Sequence, residues 1–174
     1  AEVRRLLATP DTSTAQGARD FAILHLFLFT AMRSVEINRS DLGDWQTIGN
    51  QQVIYYQGKG HDEKDAFKVI VEPVADAVQL WLSYRGNKPG PLFTSLSDRS
   101  QGERLSLRAI RNLIKEYMLK AGINDPKKTT HSLRHTAITN AIVNRAPIRV
   151  VQALAGHASA NTTSIYIHNV DRLT

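Results

Sequence analysis

The sequence has 174 residues, of which 42% are hydrophobic and 22% charged, as in an ordinary globular domain that can bury its own core. It contains no cysteine, which excludes disulfides, thiolate metal sites and cysteine nucleophiles and fits an intracellular protein. The 22 Lys and Arg residues outnumber the 16 Asp and Glu residues, and the net charge of +6 favours a polyanionic partner. No apolar run is long enough to cross a bilayer, and residues 1–10 lack the apolar core of a signal peptide.

The first part of the chain is predicted to be helical. A short helix over 1–9 is followed by a long helix over 15–30, with Ser13 or Thr14 as its N-cap. The long helix is apolar on all sides, which indicates a central, buried position. The apolar spacing that follows predicts another short helix ending near Asp41.

The pattern then changes to that of a β-hairpin. Residues 53–56 and 67–72 are rich in β-branched and aromatic side chains, and a turn at 58–62 separates them. Lys59 lies between two glycines at the tip of this hairpin. It is either a solvated turn lysine or an ammonium group that the hairpin delivers to a ligand as a general acid.

The second half is again predicted to be helical. Helices are expected over 74–85, 107–121 and 132–145, and two short ones from Pro147 and over 160–167. The loop between the first two of these helices is too short to be a linker between domains. We therefore predict one domain over 1–174 of the α+β class, mainly α-helical with one small antiparallel β-sheet.

His131 and Arg134 are three residues apart at the start of a predicted helix, so they share one face. Helix N-termini attract phosphate, and arginine can form two parallel hydrogen bonds with its oxygens. Lys127 and Lys128 precede them. This spacing is compatible with a phosphate site and equally with a basic helix start that only contacts solvent.

The same helix could instead contribute ligands to a metal ion. His131 and His135 have the spacing of zinc ligands, and His157 could be a third ligand. The residue after His131 is Ser132, whereas the metalloprotease motif has glutamate there. We therefore expect no metal, and we expect His135 to be a packed or hydrogen-bonded structural histidine.

Three other candidates each have a structural alternative. His157 follows Gly156, which is typical of a helix C-cap, and Tyr166 could be a core aromatic residue. Arg33 follows the most apolar helix, where a charge needs a ligand or a partner. Glu36, three residues later, could be that partner.

Four motifs, taken in order, resemble those of the tyrosine recombinases, the phage-integrase and Xer-like DNA strand-exchange enzymes. They are T-A-M-R-S-V-E-I at 30–37, G-K-G at 58–60, H-S-L-R-H at 131–135 and L-A-G-H-A-S-A-N-T-T-S-I-Y at 154–166. The resemblance covers essentially the whole chain as a C-terminal catalytic domain and implies that the family's N-terminal core-binding domain is absent from it. One departure is Ala31-Met32, where the family usually has Gly-Leu.

The resemblance implies a catalytic set of six residues and no cofactor, metal or ATP. Tyr166 would attack a scissile phosphate and form a 3′-phosphotyrosine bond. Arg33 and Arg134 would clamp the phosphate oxygens, and Lys59 would protonate the leaving 5′ oxygen. His131 would handle the tyrosine proton and contact the phosphate, and His157 would donate a hydrogen bond to the phosphate.

The resemblance also implies double-stranded DNA as the partner, in the integration or excision of mobile elements. We expect a tetramer on DNA, a monomer without it, no membrane contact and a cytoplasmic location. Two alternatives stay open: a type IB topoisomerase-like enzyme that relaxes DNA, and a catalytically dead DNA-binding accessory module.

Overall fold

The structure, a computed structural model, describes residues 1–154, except for the side chains at 148, 149 and 153. The helix predicted over 160–167 lies outside these residues. Within the described part the elements in chain order are α1 (Glu2–Leu7), α2 (Ala15–Thr30), α3 (Ser34–Arg39), a 3₁₀ turn (Leu42–Asp44), β1 (Trp45–Ile48), β2 (Gln51–Tyr56), β3 (Ala66–Val69), α4 (Glu72–Arg85), α5 (Leu107–Lys120), α6 (Thr130–Val143) and α7 (Ile148–Leu154).

The central element is α2, as its sequence predicts. It begins at the N-cap Thr14, whose hydroxyl accepts a hydrogen bond from the backbone N–H of Gly17. Most of its side chains are buried, and it packs against α4 and α6. The middle of the core includes Phe27 of α2 and Trp81 of α4, which are both about 1% exposed. The end of α2 is thereby held in a fixed place, and the candidate site begins there.

The sheet has three antiparallel strands in the order β1-β2-β3, so the predicted hairpin gains a strand that the sequence did not indicate. Ile54 of β2 pairs with Trp45 on one side and with Lys68 on the other. The second predicted strand is shorter than expected, because α4 already begins at Glu72. The fold class is confirmed: the described part is mainly α-helical with one small antiparallel sheet.

A small apolar cluster connects the sheet to the last described helices. Ala31, Val69, Ala137, Val150 and Leu154 are buried together, which brings the end of α2, β3, α6 and α7 to one place. Within residues 1–154, no helix combines the length and the apolar character that crossing a membrane requires.

Candidate active site

The site begins at the turn between α2 and α3. Ala31 caps α2 in the left-handed conformation, with φ of 56°, and is about 1% exposed. An alanine in this conformation costs roughly 1–2 kcal/mol, which explains why glycine suits the position. The chain returns to an extended conformation at Arg33, which is the N-cap of α3. The turn therefore fixes the backbone from which the first candidate arginine projects.

Glu36 holds Arg33 in two ways. Its Oε1 accepts a hydrogen bond from the backbone N–H of Arg33 at 2.8 Å, and its Oε2 lies 3.3 Å from Nη1 of the same arginine. The pairing expected from their spacing is confirmed. The Glu36 side chain is 3% exposed and that of Arg33 27%, so a buried carboxylate orients a guanidinium that still reaches solvent. Such an arginine can meet a ligand without leaving its partner.

Arg134 reaches the same turn from α6. Its Nε donates a hydrogen bond of 2.9 Å to the carbonyl oxygen of Ala31, although 103 positions separate the two residues. Burial lowers the pKa of the Arg134 guanidinium, and the positive charge of Arg33 lowers it further. The structure thus brings the two candidate arginines close enough for their charges to interact. Two guanidinium groups at one place suit the oxygens of a phosphodiester.

Lys68 is a buried cation that sequence reasoning missed. It is 3% exposed, its Nζ donates a hydrogen bond of 2.8 Å to the carbonyl oxygen of Leu154, and it lies 5.2 Å from the centre of the Tyr56 ring. Burial lowers the pKa of Lys68 to about 7; Glu36 opposes this shift, while Arg134 and Arg33 add to it. Its alternation with buried Ile70 on the predicted strand could have indicated an inward position.

Tyr56 completes the polar surroundings of this lysine. Burial raises the pKa of its phenol to about 12, and the charge of Glu36 contributes to the shift. The phenol therefore stays protonated at neutral pH and does not act as an anionic partner for Lys68. Arg33, Glu36, Lys68 and Arg134 are called the arginine cluster below.

His131 lies beside the cluster in the first turn of α6, where Thr129 is the N-cap. It is exposed and lines a cavity of about 340 Å³ between α5, α6 and the start of α3. The residues that line this cavity are Ser34, Arg111, Lys115, Thr129, Thr130 and His131. The cavity is basic and has hydroxyl donors, which suits a sugar-phosphate backbone.

His135 does not have the structural role that we expected. Its side chain is exposed, one turn of α6 beyond His131, because the apolar face of that helix is carried by Leu133 and Ala137. Among residues 1–154, no three His, Cys, Asp or Glu side chains gather as a metal site would require. His157, the third ligand of the zinc alternative, lies outside the described residues.

Lys59 lies on a loop and is not one of the buried or partly buried residues of the cluster. It is exposed in the connection between β2 and β3, just before Gly60, whose φ is 82°. Within the part of the chain that the structure describes, no hydrogen bond or ion pair joins Lys59 to Glu36, the carboxylate of the cluster. His157 and Tyr166 lie outside the described residues, so their roles stay predictions.

Comparisons with known proteins relate the sequence to a known family. The family model described as "Phage integrase family" matches residues 1–172. Tyrosine recombinase XerD of Staphylococcus epidermidis is 34% identical over 173 residues, which cover 96% of this chain and 56% of that protein.

Two solved structures extend the likeness to three dimensions. The crystal structure of XerA recombinase has a TM-score of 0.71 and 27% identity, over 95% of this chain and 57% of that one. A post-cleavage complex of the site-specific recombinase XerH with its palindromic difH substrate has a TM-score of 0.70 and 25% identity, over 99% of this chain and 49% of that one. The chain spans about half the length of the relatives that it matches.

Proposed function

This chain belongs to the phage integrase family, and on that premise we propose that residues 1–174 are one catalytic domain of a tyrosine-type site-specific DNA recombinase. One observation carries the proposal. Arg33 and Arg134 are about a hundred positions apart in the chain, and both lie at the turn after α2. Glu36, a buried carboxylate, orients Arg33, and Arg134 donates a hydrogen bond to the turn. A pair of preorganised cations of this kind stabilises the charge that develops on a phosphate in its transition state.

In the proposed reaction the Tyr166 oxygen attacks the scissile phosphorus and loses its proton to His131. A new bond forms between phosphorus and the tyrosine oxygen, and the bond to the 5′ oxygen breaks. Lys59 donates a proton to that leaving oxygen, while His157 donates a hydrogen bond to the phosphate. A 5′ hydroxyl group from a partner strand then attacks in reverse and releases Tyr166. The covalent link conserves the bond energy, so neither ATP nor a metal is needed.

The chemistry of the surface supports DNA as the substrate. The cavity beside His131 carries Arg111 and Lys115, and the whole chain has a net charge of +6. Such charge serves contact with the phosphate backbone and not the choice of sequence. We propose that the protein is a monomer without DNA and a tetramer on it, that it acts in the cytoplasm, and that a core-binding domain outside this chain completes the DNA clamp.

Strand exchange is favoured over the other two readings. Among the relatives and solved structures that match are named recombinases, such as XerD and XerH. A topoisomerase-like enzyme would relax plasmids without forming junctions between two DNA molecules. An inactive accessory module would have no need of a preorganised pair of arginines.

The nucleophile can be tested with a nicked DNA substrate that traps the covalent intermediate, in a buffer containing EDTA. The unaltered chain is expected to form a protein–DNA adduct on a denaturing gel, and Tyr166→Phe is expected to form none while still shifting DNA on a native gel. Tyr84→Phe is the matched control, because Tyr84 lies on the exposed side of α4 and is 45% exposed. An adduct that persists in Tyr166→Phe would show that another residue attacks.

A further inference from the structure

Lys68 connects the arginine cluster to the last described helix. Its Nζ donates a hydrogen bond to the carbonyl oxygen of Leu154, the last residue of α7, from a strand 86 positions earlier in the chain. Leu154 precedes His157 by three residues and Tyr166 by twelve. One buried side chain thus joins β3 to the point where the chain continues toward two of the proposed catalytic residues.

The surroundings of Lys68 are charged on several sides. Glu36 and Arg33 at the start of α3, Arg134 of α6 and Tyr56 of β2 all act on it, in addition to the Leu154 carbonyl group. A lysine without structural purpose is rarely kept fully buried in such a place, because removing an ammonium group from water is costly. The contacts made by Lys68 join the arginine cluster to α7.

We propose that Lys68 is a positioning residue. It holds the C-terminal end of α7 at a fixed place relative to the arginine cluster and so sets where the segment bearing His157 and Tyr166 begins. The inference rests on the proposed function for its catalytic consequence. In this role Lys68 does not touch the reacting atoms, and it affects the reaction only through the position of α7.

The charge on Lys68 makes this role sensitive to pH and to DNA. The pKa of Lys68 is about 7, so the ammonium form is present below that value and the weaker-donating amine above it. Arg33 and Arg134 are among the groups that lower this pKa. A bound phosphodiester would offset their charge, which favours the ammonium form and tightens the contact with α7 when substrate is in place.

The test compares Lys68→Met with Lys120→Met. Methionine matches lysine in length and suits a buried position, so the fold should be retained. Lys120 is the matched control, because its Nζ lies 5.3 Å from the centre of the Tyr117 ring, but it is exposed on α5. Single-turnover adduct formation on the nicked substrate is measured from pH 6 to 9.

At pH 6 we expect Lys68→Met to form the adduct about tenfold more slowly than the unaltered chain, the usual effect of losing a hydrogen bond from a charged group. The difference should shrink as the pH rises above 7, because the unaltered lysine then loses its charge. Lys68→Arg stays charged and should not show this dependence on pH, and Lys120→Met should match the unaltered chain throughout. A ratio of rates near one, or one that does not change with pH, would overturn the inference and leave the proposed function intact.

Hydrogen exchange supplies a readout that does not depend on cleavage. Lys68→Met is expected to speed exchange at the amides of α7 and not at those of α5. Unchanged protection in α7, or an equal loss in both helices, would overturn the positioning role. If the unaltered chain forms no adduct, the proposed function fails, and hydrogen exchange alone decides whether Lys68 holds α7.

Discussion

The arginine cluster and the connection between β2 and β3 differ in how firmly the protein holds their cationic side chains. In the cluster, Glu36 and Lys68 are buried and Arg33 and Arg134 are partly buried, and each side chain contacts protein groups on another turn or element. In the connection, Lys59 is exposed and has no hydrogen bond or ion pair to Glu36 within the described residues. The difference teaches that the groups proposed to stabilise charge are fixed in advance, whereas the proposed proton donor is carried on a loop.

Physical chemistry accounts for this division. Stabilisation of a charged transition state is most effective when the dipoles and charges need not reorganise, which favours a buried, hydrogen-bonded cluster. A general acid must reach its oxygen only when the bond breaks, and its contacts in the protein without substrate are often loose. The two regions should therefore respond differently to substitution.

The largest effect is expected at Lys59. Lys59→Ala should slow strand cleavage by about 10²–10⁴-fold, the usual contribution of a general acid, and should change stability by less than about 0.5 kcal/mol because the side chain is exposed. A substrate with sulfur in place of the leaving 5′ oxygen needs no protonation and should restore the rate. Cleavage kinetics and urea unfolding measure the two quantities.

Lys64→Ala is the matched control in the same connection. Lys64 bonds to Asp41 and Asp44 at 2.9 and 2.6 Å, so its loss should lower stability slightly and leave cleavage unchanged. If Lys59→Ala remained slow on the sulfur substrate, its role would be structural and the contrast between the two regions would disappear.

A somewhat smaller effect is expected for Arg134→Lys. Lysine lacks the Nε–H that contacts the Ala31 carbonyl oxygen and cannot form two parallel bonds to phosphate. The barrier to cleavage should rise by about 2.7–4 kcal/mol, as for the loss of one preorganised donor. Adduct formation at saturating DNA is the measurement.

Arg104→Lys is the corresponding control, since Arg104 also donates to backbone carbonyl groups, those of Asn38 and Ser40. It should leave the cleavage rate unchanged. Near-normal cleavage by Arg134→Lys would mean that the cluster supplies only charge and not a fixed geometry.

The smallest effect is expected for Glu36→Gln, measured as stability in urea. The substitution replaces one of the two carboxylate oxygens that accept from Arg33 with an amide donor, and it leaves the partly buried Arg33 without its opposite charge. We expect a loss of about 1–3 kcal/mol in the free energy of unfolding. Glu72→Gln, in the exposed first turn of α4, should cost less than about 0.5 kcal/mol. Equal effects would show that burial of the carboxylate is unimportant.

The sequence predicts local structure well, but it predicts poorly which residues distant in the chain come together. Helix α2 and its cap at Thr14 follow from periodicity and residue type, and the Arg33–Glu36 pair follows from a spacing of three. Strand β1 is mostly exposed, so it carries no apolar alternation that could have indicated it. Lys68 is a polar residue in a strand, and its burial depends on the residues that pack around it from other elements.

The positions of the two histidines in α6 show the same limit. The spacing of His131 and His135 places them on one side of a helix, but only the packing of α6 against α2 shows that His135 faces outward. Contact between Arg134 and Ala31 spans 103 positions, and no local pattern encodes it. The motifs of the family put Arg33 and Arg134 in one predicted set, and the structure brings these two side chains together, whereas periodicity does not connect them.

The left-handed turn at Ala31 makes the two arginines mechanically dependent. Arg33 lies two residues beyond it along the chain, and Arg134 is tied by its Nε to the Ala31 carbonyl oxygen. A rotation of that one peptide group would displace both guanidinium groups together. A change in the backbone at residue 31 would therefore change the positions of both arginines without replacing either.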